Sequence, residues 1–253
     1  MLTAVPLEGL PEVQKGADLG ELISKLLNPA RPSAAEQPHS RDVLVIAHKV
    51  VSKAEGRVRR LADVVPTPRA IELAAGRDPR LVQVVLDETR EIVRASPGVI
   101  VCETHHGFVC ANAGVDQSNV PGDDTVLMLP LDPDASARAI RARIGELTGV
   151  APGIVITDSF GRAWRTGQSD VAIGLAGVAA LDDWRGRSDT AGREMHATVI
   201  AVADLLAATA DLARRKDAAQ PVVLIRGAED YVTVADGPGV RPLLRERSHD
   251  LFR

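Results

Sequence analysis

The sequence predicts an α+β fold in which mixed sheets pack with helices. Three observations carry that prediction. Short β-branched apolar runs recur at "VLVIA" (43–47), "GIVIT" (153–157) and "PVVLIRG" (221–227), each of a length suited to a buried strand. Helical periodicity marks separate, longer segments, above all 132–149 and 191–214. Strands and helices do not alternate strictly as βαβα, which argues against a doubly wound sheet.

Taken in chain order, "NPARPSAAEQPHS" (28–40) carries three prolines and reads as an exposed connection into the strand at 43–47. "HKVVSKAEG" (48–56) then sets Lys49 and Lys53 four residues apart. On a helical turn both share one face, which serves a phosphate clamp or an ordinary solvated surface. Residues 79–95 read as a helix with Pro79 near its start and Leu81, Val84, Val85 and Ile92 on its apolar face. "GVIVCETHHGFVCANAG" (98–114) reads as a hairpin around "ETHHG", and "TVLMLP" (125–130) as a further strand.

The helix at 132–149 is the best marked. Asp132 can cap it, Pro133 suits its first turn, Ala137, Ile140, Ile144 and Leu147 recur at helical spacing, and Gly149 ends it. Residues 153–177 read as strand, polar loop and strand, the loop holding Asp158, Ser159, Arg162 and Arg165. A long helix over 191–214, with Val199, Val202, Leu206 and Ala210 inward, precedes the last strand.

The 253 residues suffice for one large domain or two intertwined subdomains with a sizeable core. A net charge of −4 and 2% aromatic residues exclude a nucleic-acid partner, which needs basic surface and stacking platforms. No apolar run reaches the roughly 18 residues of a membrane span. The N-terminus has no basic region followed by an apolar core, so a cytoplasmic location is expected. Two cysteines, Cys102 and Cys110, fit a reducing compartment.

Neither a phosphate-binding G-x-x-x-x-G-K-[ST] loop nor a dinucleotide G-x-G-x-x-G is present. A nucleotide would need another device, and metal bridging supplies one. "ANAGVDQSN" (111–119) gathers Asn112, Asp116, Ser118 and Asn119 around Gly114. Those groups are oxygen donors of the kind that magnesium or manganese prefers, and also the ordinary material of a turn. Asp116 with Asp158 and Ser159 could share a divalent cation whose open positions take phosphate oxygens. "CETHHGFVC" holds zinc-ligand residue types, but adjacent histidines on extended chain point apart. It reads instead as small buried cysteines flanking a turn. Arg162 and Arg165, three apart around Trp164, suit an acidic substrate or surface salt bridges.

The series "PLEGLPEV", "HKVVSKAEG", "HGFVCANAGVDQSNVPG", "TDSFGRAWRTGQSDVAIGLAG" and "DDWRGRSDTAGREMHATVIAVAD" resembles the bacterial coenzyme F-420-0:γ-glutamyl ligase family over residues 5–227. The resemblance implies an unusual α+β ligase fold forming an intertwined homodimer. It implies GTP as co-substrate, a divalent cation and potassium, and attachment of L-glutamate to a deazaflavin coenzyme precursor, followed by extension of a γ-linked tail. It makes Asp116, Asp158 and Ser159 metal ligands. Leu7, Glu8, Gly9 and Leu10, with Lys53 and Asn119, become nucleotide contacts. His48 stands where many relatives have serine, so one nucleotide contact is altered. Leu205 follows "VAD" where the family commonly has glutamate, and Arg215 stands at a usual glycine.

The chemistry implied is transfer of a γ-phosphoryl group to a carboxylate, giving an acyl phosphate that the amine of glutamate attacks. Asp116, Asp158 and Lys53 would act at the phosphates, and Arg162 and Arg165 on the acidic substrate. A paralogue ligating an amino acid to another carboxylate, or a nucleotide-binding regulator without catalysis, are the competing expectations.

Overall fold

A computed structural model describes residues 1–27, 38–118, 122 and 124–251. The expected connection at 28–40 therefore lies largely outside the described residues. In chain order, β1 (Thr3–Leu7) and α1 (Leu19–Leu26) lead to β2 (Val43–Ala47) and, without a break, α2 (His48–Glu55). There follow β3 (Val58–Arg60), α3 (Pro68–Ala74), α4 (Pro79–Asp87), β4 (Thr89–Ser96), β5 (Val99–Thr104), β6 (Val109–Ala111) and β7 (Thr125–Leu127). The last part holds α5 (Pro133–Thr148), β8 (Gly153–Arg162), β9 (Arg165–Ala176), β10 (Asp182–Asp183), β11 (Val199–Ile200), α6 (Val202–Ala213) and β12 (Val222–Arg226). The α+β class is what the chain adopts.

The central sheet runs β1-β12-β2-β8-β9. Only β2 and β8 are parallel, pairing Val43 with Gly153 through Ala47 with Thr157. Their runs are apolar because both faces are covered: Val43, Leu44, Val45, Ile46, Ile154, Val155 and Ile156 are all fully buried. Helices α5 and α6 pack on β9, and α1 packs on α5. A smaller three-stranded sheet, β4-β5-β6, lies against a separate cluster with Ala70, Ala74, Val82, Val85, Ile100 and Cys102.

Local chemistry sets α5 as expected. Asp132 accepts from the Ala135 amide at 2.9 Å, Pro133 opens the first turn, and Gly149 closes the helix at φ +75°. The hairpin over 98–114 also forms, with its turn at Gly107, φ +94°.

Three boundaries differ from expectation. The helix begun at Pro79 ends at Asp87, and 89–96 becomes β4, paired antiparallel with β5. Thr89, Ile92 and Val93 are β-branched, and pairing with β5 outweighs the helical spacing. The long helix starts only at Val202, because 199–200 pairs with β10. The expected loop around Asp158 is strand: β8 and β9 form one long hairpin that turns only at Ala163 and Trp164, the latter at φ +63°.

Candidate active site

Strand β2 and helix α2 join at Ala47 and His48, beside the point where β8 outruns its parallel partner. A helix that begins at such a junction turns its first amide groups toward the space beyond the strand ends. Ala47 offers no side-chain cap and the first turn carries no acid. The positive end of the helix dipole is thereby left for an outside anion.

A cavity of about 440 Å³ opens there. Lys49, Lys53, Arg214, Arg215 and Lys216 line it, against the acids Glu12, Asp158 and Asp217. Cations outnumber anions in the wall although the whole chain is acidic. Such a local excess attracts a multiply charged anion irrespective of net charge.

Of the residues singled out in the sequence, Leu10, His48, Lys49, Lys53, Asp158 and Arg215 line this cavity. Lys53 is held by Glu12 at 2.6 Å. Leu7 is buried at the end of β1, Gly9 turns the chain at φ +84°, and Glu8 accepts from Gln220, a cavity residue, at 2.9 Å. Asp116 does not line the cavity, yet it reaches its rim through Lys49, whose ammonium is 2.6 Å from Asp116 Oδ2. Burial opposes ionisation of Asp116, but Lys49 and the Ser118 amide outweigh it and hold the carboxyl below its usual range. Asn119 lies outside the described residues. Arg162 and Arg165 face each other at the exposed tip of the β8–β9 hairpin, away from the cavity wall.

His48 is 2% exposed. Its Nδ1 is 3.2 Å from Ser52 Oγ, one turn on, and its Nε2 is 3.2 Å from Asp158 Oδ1. The second approach lacks hydrogen-bond alignment, so Nε2 is a buried polar atom without a hydrogen bond. Consecutive residues of α2 thus hold the two aspartates: His48 meets Asp158 and Lys49 meets Asp116. Among the described residues, no three His, Cys, Asp or Glu side chains converge as a complete metal cage.

Asp158 and Ser159, being consecutive in a strand, leave it on opposite sides. Ser159 Oγ lies 2.6 Å from Asp170 Oδ1, directly across the hairpin. Sequence reasoning missed this neighbourhood. Asp170 is 1% exposed and contacts Arg214, Lys216 and Thr157 as well. Burial pulls Arg214 down to about 10, with the charge of Asp158 working against it. The available signal was an acid heading the apolar run "DVAIGLA", next to cations at 214–216.

The histidines and cysteines of "CETHHGFVC" do not assemble a site. His105 Nε2 meets the Asp87 carbonyl at 3.1 Å and His106 Nε2 the Pro130 carbonyl at 2.8 Å, while both cysteines are free and buried.

Fold and site together define an α+β protein with a cationic cavity at parallel strand ends. Comparison with known proteins narrows that class. The chain belongs to the F420-0:Gamma-glutamyl ligase family, whose model matches residues 9–227, and is by membership an amide-forming ligase. It is 45% identical to a coenzyme F420:L-glutamate ligase of Methanopyrus kandleri, over 98% of this chain and 96% of that protein. Proteins of the same name from Methanothermobacter thermautotrophicus and Archaeoglobus fulgidus are 43% and 42% identical, covering 100% and 98% of this chain and 99% and 95% of theirs. No helix among the described residues is long and apolar enough to cross a membrane.

Proposed function

We propose that the chain joins L-glutamate to the carboxylate of a coenzyme F420 precursor, and extends a γ-linked glutamate tail, at the expense of GTP. The cationic cavity at the start of α2, flanked by two aspartates, is the observation that carries this reading. Family membership supplies the substrate class.

A carboxylate does not condense with an amine unless its oxygen becomes a leaving group. Transfer of the γ-phosphoryl group to the precursor carboxylate releases GDP and gives an acyl phosphate. Attack by the α-amine of glutamate forms the amide, expels inorganic phosphate and gives up a proton. The first amides of α2, with Lys49, Lys53 and Lys216, bind and orient the triphosphate, so that the protein works by positioning and electrostatics.

The oxygens of Asp116, Asp158 and Ser159 suit a hard cation, and two of them already accept from ammonium groups, Lys49 at 2.6 Å and Lys216 at 3.0 Å. Those residues would hold magnesium or manganese. Held there, the ion would supply positive charge to offset the charge that develops on the phosphates. Potassium and a homodimeric assembly belong to the same proposal. Arg162 and Arg165, exposed at a hairpin tip, are offered to the acidic substrate from outside the cavity.

The test is direct. Purified protein receives GTP, L-glutamate, a divalent cation and the deazaflavin precursor, and products are resolved by mass. A product heavier by one or more glutamyl residues, with matching phosphate release, is expected. Nucleotide binding with no glutamylated product would overturn the proposal.

A further inference from the structure

Asp170 is almost completely buried against Thr157, Arg214 and Lys216, which line the cavity, and its carboxylate is ion-paired with the last two. An ionised carboxylate only accepts, so every hydroxyl that touches it must donate. Two do. Ser159 Oγ is 2.6 Å from Oδ1 and Thr157 Oγ1 is 2.9 Å from Oδ2. With their protons committed inward, both hydroxyls have only lone pairs left for other partners. The structure shows where those lone pairs go: Lys216 Nζ donates to Ser159 Oγ at 3.0 Å, and Arg214 Nη2 donates to Thr157 Oγ1 at 3.0 Å. Lys216 and Arg214 both line the cavity. Lys216 is further tied to Asp211 at 2.7 Å.

We propose that Asp170 is a positioning residue: by taking the protons of Ser159 and Thr157 it fixes both hydroxyls as acceptors toward cations that line the cavity. A free serine hydroxyl rotates and can present either a proton or a lone pair. Asp170 removes that choice. Ser159 is then ready to accept from an ammonium or to bind a metal without first turning. Nothing in the motif around Asp170 assigns it this part. The inference rests on the proposed reading of Ser159 as a metal ligand, and the test separates the two.

Manganese binding is followed by electron paramagnetic resonance on the purified full chain with GTP, and GTP affinity is measured separately in chelator. Asp170→Asn is combined with Arg214→Met, so that no guanidinium is left buried without its counter-charge, and Arg214→Met alone is the baseline. An amide can donate to Ser159 and turn the hydroxyl proton outward. The expected result is a loss of manganese affinity of about 10- to 100-fold against the baseline, as for outer partners of metal ligands generally, with GTP affinity in chelator unchanged. Ser159→Ala should lose affinity similarly.

If Ser159→Ala weakens manganese binding while the Asp170 variant matches its baseline, the positioning role is wrong and the metal reading stands. If Ser159→Ala has no effect, both fall. A measurement on the unaltered backbone covers poor folding of the double variant. The buried Thr157 hydroxyl, donating to Asp170, should give a slowly exchanging proton signal, identified by its loss in Thr157→Val. Its absence from the native protein would overturn the proposal.

Discussion

Lys49 Nζ stands 2.6 Å from Asp116 Oδ2 and 2.5 Å from Ser118 Oγ, so the carboxylate expected to meet a metal is already held by an ammonium. The pair is partly exposed, and such pairs contribute about 0–1 kcal/mol to stability. Asp116→Ala should therefore abolish cation-dependent formation of the glutamylated product while the melting temperature moves by only a few degrees, roughly. Product mass and thermal unfolding check both halves. Retained turnover would remove Asp116 from the site.

The same pair predicts a pH response. The native carboxyl titrates below its ordinary value, held down by Lys49 and the Ser118 amide against the opposing effect of burial. Its stabilising contribution is thus present above the ordinary aspartate range and is lost as pH falls through the lowered native value. Lys49→Met should raise the Asp116 titration, read by carbon-13 NMR of the labelled carboxylate. An unmoved titration would mean that Lys49 is not its partner in solution.

Much of this arrangement was legible in the residues, and the parts that were not have physical reasons. Buried strands at 43–47 and 222–226 announce themselves because they are apolar on both faces. Helix α5 is marked by its own caps. The Ser159–Asp170 pair was not legible, because it depends on hairpin register. Counting back from Arg162 opposite Arg165 would set Gln168 against Ser159, but irregular pairing at Gly161 and Arg162 brings Asp170 there instead. Such a shift is a three-dimensional choice of the two strands. Strand β4 failed for a related reason: its residues fit a helical face, and only the edge of β5 makes them a strand.

Removing Asp170 outright should be far more damaging to the fold than removing Asp116. Arg214 is 8% exposed and would keep a buried charge without its ion-pair partner. Breaking a buried pair from one side costs about 3–5 kcal/mol. Asp170→Ala should lower the urea midpoint accordingly, and part of that loss should return when Arg214→Met is added, because the stranded charge is gone. Additive losses in the double variant would show that the two side chains do not act as a pair.

The two thiols should be inert in the native chain. Desolvation raises Cys102, and it pushes Cys110 up to about 12 with help from the negative charge of Asp158. Reaction with a disulfide reagent needs the thiolate and access to it, and both cysteines are buried. Neither should label at neutral pH on the timescale of minutes, and both should label at once in denaturant. Rapid labelling of the folded protein would place at least one of them at the surface.

Asp204, in the first turn of α6, shows burial winning over a hydrogen bond. Desolvation raises its carboxyl above the ordinary value although the Ala172 amide, at 2.9 Å, favours the charge. A carboxyl whose native value is raised contributes stability that is full below the ordinary aspartate range and is lost as pH rises through the raised value. Above that value the native state carries a carboxylate that burial penalises. Asp204→Asn keeps an oxygen to accept from Ala172 and removes that charge, so it should stabilise the protein. The gain should be larger at pH 7 than at pH 3, below the ordinary aspartate range, where the native carboxyl is itself protonated. Urea midpoints of both proteins at the two pH values test the sign, and an equal difference at both would mean that the Asp204 carboxylate is not penalised by its surroundings.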